Sequence, residues 1–213
     1  MKNSQAFLDS FATIEKFLRS LASEDRSSSF YHLVDMASRM NRTVARYRDD
    51  LKEYADLRNA IVHERSDGHV IAEPNDMAVS HLAALRSLLL TPPKVVPMFQ
   101  VDVQTRDVSR PLGEAVVVML QGSFSQLPVT QDHRVVGVLT SNTIARWLGH
   151  EVATDLFSLR ETTIGQVLKF TEDSENHCFL GRSSTLFDVL GCFDDFASRG
   201  KDLDAILVTH KEE

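Results

Sequence analysis

The chain has 213 residues, 43% of them hydrophobic, with a net charge of -7 and two cysteines, a composition that suits one large or two small globular domains and excludes fibrous, collagenous and disordered classes. No apolar run reaches the roughly 18–20 residues of a membrane span, Met1-Lys2-Asn3-Ser4 passes straight into an amphipathic pattern with no signal peptide, and Cys178 and Cys192 read as buried free thiols of a reducing cytoplasm. Charge is uneven: residues 1–98 hold 13 basic and 13 acidic side chains and residues 99–213 hold 10 and 17, so any polyanion must be met by the N-terminal half.

Taken in order, Phe7, Phe11, Ile14, Leu18 and Leu21 fall on one helix face. A second helix is predicted over Phe30 to Met40, stopped by Asn41, and a third over Thr43 to His63. Arg65 to Pro74, with Asp67-Gly68 and Val70-Ile71-Ala72, reads as a loop with strand character. Asn75 caps a fourth helix carrying Val79, Leu82, Leu85, Leu88 and Leu89, and Thr91-Pro92-Pro93 ends it. A helical domain therefore covers 1–92, and a proline-rich linker covers 93–98.

Beyond the linker the period changes to that of an α+β domain. The pattern predicts a strand at Val101–Val103, a helix over Leu112 to Gln121, strands at Leu127–Thr130 and Val135–Thr140, and a closing helix over Ser141 to Gly149. A connector with a short helix near Ile164 to Phe170 follows. The series then restarts with a strand at Cys178–Leu180, a helix from Leu186 to Ala197 and a strand at Ala205–Val208. Ser109 to Leu112 aligns with Ser183 to Leu186, and Leu127 to Val129 with Ile206 to Val208, which predicts two copies of one unit, at 99–150 and 151–213, packed face to face.

Phe124-Ser-Gln-Leu-Pro-Val129, the polar turn Gln131-Asp132-His133 and Val135-Val-Gly-Val-Leu-Thr140 resemble the core of a CBS module, over roughly residues 98–213. The resemblance implies a tandem βαββα pair with an adenosine-type ligand between two sheets. ATP, ADP, AMP or a cyclic dinucleotide would be a regulatory ligand, held at Leu127, Pro128, Val129, Thr140 and Thr143. The family's acidic ribose position, six residues after Gly137, is Thr143 here, so one hydroxyl stands where a carboxylate would offer two oxygens. The expected last strand and helix of the second copy do not follow before Glu213.

In the helical half, Leu57-Arg58-Asn59-Ala60-Ile61-Val62-His63-Glu64 resembles the Arg-Asn-x-x-x-His signature of HEPN domains, over about residues 5–92. That resemblance implies a homodimer with metal-independent endoribonuclease chemistry. His63 would take the ribose 2′-hydroxyl proton, Arg58 would hold the phosphate charge and Asn59 would orient one of them. Asn59 and His63 share a helix face, while Arg58 and His63 stand about 140° apart, so the long Arg58 side chain must bend round or the helix must break near His63. Arg39, Arg42 and Arg46 form a basic stripe suited to RNA phosphates, with Arg48 and Lys52 beyond it and Asp49, Asp50 and Glu53 available to neutralise it. The alternative is a non-catalytic, nucleotide-responsive dimerisation or protein-interaction module. Trp147 is expected to pack the closing helix onto the sheet. The spacing of His133, His150 and His177-Cys178 fits no tetrahedral metal site.

Overall fold

The computed structural model describes residues 3–23, 28–63, 65–66, 69–70, 72–152, 158–173 and 175–209. Its contacts divide the chain into two units, Met1–Lys94 with Thr185–Asp188, and Val95–Ser184 with Val189–Glu213.

The first unit is helical. It contains α1 (Asn3–Ala22), α2 (Phe30–Met40), α3 (Arg42–Arg46), α4 (Arg48–His63), a minimal hairpin of β1 (Arg65–Ser66) and β2 (His69–Val70), and α5 (Asp76–Leu90). Its core is built from one stripe per helix: Phe7, Phe11, Ile14 and Leu18 of α1, Leu33, Val34 and Ala37 of α2, Leu51, Ala55 and Ile61 of α4, and Leu82, Leu85 and Leu89 of α5. Each large side chain removed from water here contributes about 1.5–3 kcal/mol. Caps set the helix ends. Ser29 accepts from His32 N, Asn41 from Val44 N, and Asn75 from Ala78 N.

The third predicted helix is two helices. Asn41 ends α2 and starts α3. Tyr47 then leaves helical geometry (φ -108°, ψ 23°) and α4 begins at Arg48. The periodicity that suggested one continuous helix survives on both sides of this break, which is why the sequence pattern does not show it. In the segment read as a loop with strand character, Val70 pairs in β2, Ala72 is not in a strand, and Ile71, like Asp67 and Gly68, lies outside the described residues.

The second unit opens with a short turn, α6 (Val95–Met98), which contains a cis Val96–Pro97 bond. No strand forms at Val101–Val103. Those two valines are 73% and 59% exposed, and with no partner strand to bury them alternation alone does not make a strand. The first strand is instead β3 (Arg106–Asp107), followed by α7 (Leu112–Gly122), β4 (Gln126–Gln131), β5 (Arg134–Thr140) and α8 (Ser141–Glu151). β3 runs parallel to β4, with Arg106 opposite Val129, and β4 runs antiparallel to β5, with Pro128 opposite Val138. The two-residue turn between β4 and β5 puts both Asp132 (φ 49°) and His133 (φ 63°) in the left-handed region, the pairing whose twist suits a tight hairpin.

A connector follows with α9 (Ile164–Val167), whose start carries a reciprocal cap between Thr163 and Gln166, and a 3-10 turn at Leu168–Phe170. It clips onto the entrance of α7. Leu112 N donates to Thr162 O at 2.8 Å, Ile164 N to Arg110 O at 2.9 Å and Gly165 N to Val108 O at 2.9 Å. Only glycine allows that last approach, because a Cβ at Gly165 would stand 2.7 Å from Val108 Cγ2. The core holds Leu112, Ala115 and Met119 of α7, Leu127, Val129 and Leu139 of the sheet, Trp147 of α8, and Ile164 and Val167 of α9. Trp147 thus packs the closing helix inward, as its sequence context indicated.

The second repeat contains β6 (His177–Gly181), α10 (Leu186–Ser198) and β7 (Ala205–Thr209), with β6 parallel to β7. Its β-α-β path matches β3-α7-β4, so the internal repetition corresponds to a repeated crossover. Among the described residues, α9 of the expected second copy joins the core of this unit, while β6, α10 and β7 contribute no side chain to it. The buried cluster draws on the first repeat and the connector, while β6 and β7 are mostly half exposed. Asn176 carries the described side-chain link: its amide donates to Val138 O of β5 at 2.9 Å and to Asp204 Oδ2 at 2.9 Å.

α10 starts with a reciprocal cap in which Thr185 N and Oγ1 donate to Asp188 Oδ2 at 2.7 and 2.8 Å. This first turn groups with the helical unit. Leu186 N donates to Pro93 O at 2.9 Å and the Phe187 ring meets Tyr47 edge-on at 5.9 Å.

Candidate functional site

In the helical unit, the C-terminal turns of α4 bring Arg58 and Asn59 to a cleft of about 260 Å³ whose walls also include Glu15 and Arg19 of α1 and Ser29 and Tyr31 at the start of α2. Arg58 Nη1 donates to Asn59 Oδ1 at 3.2 Å, a bond between adjacent, solvent-facing side chains. Arg19 pairs with Glu15 at 2.6 Å and donates to Ser28 O at 3.3 Å. On the rim, Tyr31 donates to Asp56 Oδ1 at 2.5 Å, and this bond to a carboxylate raises the phenol above its ordinary pKa. His63 is the last residue of α4, and its side chain lies outside the described residues.

The basic stripe divides. Arg39, in the last turn of α2, and Arg42, at the start of α3, line a polar cleft of about 480 Å³ with Ser38, Asn41, Thr185 and Asp188. Arg46 is exposed and not part of that wall, and the cleft shares no lining residue with the one at Arg58. Arg48 and Lys52 are drawn off by an acid the sequence did not nominate. Both reach Asp35 Oδ1 of α2 at 2.8 Å, and their hydrogen bonds hold that carboxyl below its usual range. Asp35 is separated from them in sequence but faces them across the α2–α4 contact, so spacing along one helix does not reveal it.

In the strand unit, the five predicted ligand residues are buried. Leu127 and Val129 are fully inside the core and Pro128 beside them is also buried. Thr140 ends β5 and caps α8: its Oγ1 accepts from Thr143 N at 3.0 Å, and the two hydroxyl oxygens lie 3.0 Å apart. Thr140 is 6% and Thr143 3% exposed, so the pair spends its polar groups on the helix start. The open space nearby is an apolar cleft of about 450 Å³, lined by Val116, Met119, Leu120 and Ser123 on α7 and its cap, Phe124, and Ser141 and Ile144 of α8. The i, i+3, i+4, i+7 spacing of the α7 residues is legible in the sequence as a helix face, but spacing alone does not say that the face is left open. Among the described residues no His, Cys, Asp and Glu group could hold a metal ion, and no helix is long and apolar enough to cross a membrane.

No protein-family model matches the chain, and no curated protein does. Its structural neighbours are CBS-domain proteins. They include a hemolysin-like CBS protein of Oenococcus oeni (17% identity, 59% of this chain and 85% of that one, TM-score 0.39) and a CBS-domain protein from Kribbella flavida (11%, 47% and 81%, 0.37). A candidate archaeal homologue of g-AMPK from Methanocaldococcus jannaschii is similar at 14% identity, over 65% of this chain and 52% of that one, with a TM-score of 0.39. At these values residue roles rest on the chain's own geometry.

Proposed function

We propose that the chain is a regulatory protein in which a CBS-type strand unit senses an adenine nucleotide and a HEPN-like helical domain acts on RNA as a homodimer. The observation that carries the regulatory half is the repeated parallel crossover, β3-α7-β4 and β6-α10-β7, with Asn176 bridging from the second copy to β5 of the first. For the helical half, Arg58 set by Asn59 in an open cleft supplies a fixed cation for a phosphodiester. His63 is the proposed base, and Arg39, Arg42 and Arg46 are the proposed RNA contacts.

The reading is tested by incubating the full chain with mixed RNA in EDTA, beside Arg58→Ala and His63→Ala. Cleavage that falls by two to four orders of magnitude in both variants supports it, and equal cleavage by all three removes the motif from the mechanism. Calorimetric titration with AMP, ATP and a cyclic dinucleotide tests the sensor half. Thr143→Asp restores the family's carboxylate at that position and should tighten binding by about tenfold.

A second reading follows from one feature. With the Thr140 and Thr143 hydroxyls joined to each other and buried, the strand unit serves as a non-catalytic dimerisation or protein-interaction module. Heat from no nucleotide, in wild type and Thr143→Asp alike, would favour it.

A further inference from the structure

A second cleft of the strand unit, of about 680 Å³, opens on the outward face of α7. Leu112, Ala115 and Met119 of that helix belong to the core. Glu114, Val117, Val118 and Gln121 fall at i, i+3, i+4 and i+7 on the opposite side and line the cleft. Positions facing water on such a helix are ordinarily polar, yet two of these four are valine, and Val117 is half exposed. Leu159 and Arg160 form the facing wall. Gly113 N donates to Leu159 O at 2.9 Å and Leu112 N to Thr162 O at 2.8 Å, so this wall is fastened to the first turn of α7.

The mouth of the cleft is positive. Residues 99–213 carry 10 basic and 17 acidic side chains, yet Arg106 and Arg160 both stand in this wall. Glu114, the carboxylate among the described wall residues, is already neutralised. Arg110 donates to it through Nε and Nη2, at 2.9 and 2.7 Å. Arg106 gives one N–H to Thr105 O at 2.7 Å, and among the described residues no hydrogen bond or ion pair engages the Arg160 guanidinium. Two guanidinium groups are thus left beside an aliphatic surface.

We infer that this cleft is a binding site for an amphiphilic carboxylate, a fatty acid of medium chain length. The planar forks of Arg106 and Arg160 match the two oxygens of a carboxylate. Val116, Val117, Val118 and Leu159 take the hydrocarbon chain out of water. From Gly113 to Gln121 the helix wall runs about 12 Å, room for such a chain laid along it. A cleft of this volume, aliphatic with a few placed polar groups, has the ordinary make-up of a small-molecule site. The described wall residues include no aromatic ring on which a nucleobase could stack. The site also lies on α7, away from the Thr140 cap, so it does not depend on nucleotide binding there.

The test is calorimetric titration of the full chain with sodium decanoate below its micelle concentration, beside acetate, which lacks the chain, and decyltrimethylammonium, which reverses the charge. Expected is saturable binding of decanoate alone, with methyl NMR shifts at Val117, Val118 and Leu159. Arg106→Gln and Arg160→Gln should each weaken binding by about tenfold or more. No saturable heat up to millimolar decanoate, equal binding of decyltrimethylammonium, or unchanged binding in both arginine variants overturns the inference. Should either glutamine variant fail to fold by circular dichroism, Val117→Glu at its half-exposed position takes its place. It sets a carboxylate in the chain-binding wall and should abolish decanoate binding; unchanged binding there overturns the inference equally.

Discussion

Replacing Asn176 with alanine should detach the second repeat from the first. Asn176 is 4% exposed, and its amide donates 2.9 Å hydrogen bonds to Val138 O and Asp204 Oδ2. β5 is the edge strand of its sheet, so Val138 O depends on this side chain for a partner on that side. Losing two hydrogen bonds costs about 1 kcal/mol each, and stranding the buried carbonyl adds about another. A loss of about 2–3 kcal/mol follows, equivalent to a roughly 30- to 150-fold rise in opening of the affected segment. The backbone of residue 176 still accepts from Asp204 N at 2.8 Å, so β6 should loosen without unpairing from β7 altogether. Hydrogen exchange read by mass spectrometry should show the rise in β5, β6 and β7, with urea unfolding giving the free-energy change. Asn176→Asp, which keeps the shape but turns the donors into a carboxylate facing a carbonyl and another carboxylate, should be worse than alanine. A cost below about 0.5 kcal/mol, or aspartate better tolerated than alanine, would refute the bridging role.

Other changes test other parts of the argument. Gly122→Ala places a Cβ 1.9 Å from the Phe124 ring; the ring must swing out of the core edge, and Tm should fall by the equivalent of about 1 kcal/mol even though alanine is the better helix former. Asn41→Ala removes the acceptor of Val44 N at the α2–α3 junction and should cost about 1 kcal/mol in a denaturant melt. Burial lowers the pKa of His177, so the unfolded chain takes up the proton first. Its contribution is intact above the unfolded value near 6.5 and is lost as pH falls below it. Solvent screening at this half-exposed site keeps that loss under about 1 kcal/mol, and His177→Gln should flatten the Tm profile between pH 7 and pH 5.

Patterns carried by near neighbours were the legible ones. The α1 stripe, the α2 limits at Phe30 and Met40 with Asn41 beyond, the Asn75 cap and the β4–β5 hairpin were all readable, because helix faces, caps and tight turns are set by residues within a few positions of one another. The same holds for Arg58 and Asn59, adjacent in sequence and bonded in space. Long-range choices were not readable. Tyr47 breaks a periodic run where its ring meets Phe187, and Asp35, from another helix, takes both Arg48 and Lys52.

The sequence by itself determined a helical half, a strand-bearing half with a repeated crossover, and a neutral-to-acidic charge division between them. Each of these follows from periodicity, capping chemistry or composition, quantities a linear pattern contains. Tertiary structure decided which groups were left available for chemistry. It buried Thr140 and Thr143 in a helix cap, opened a cleft beside Arg58, and turned Arg48 and Lys52 onto Asp35. Availability depends on which neighbours pack over a group and which polar partners it meets, and those neighbours come from other segments of the chain.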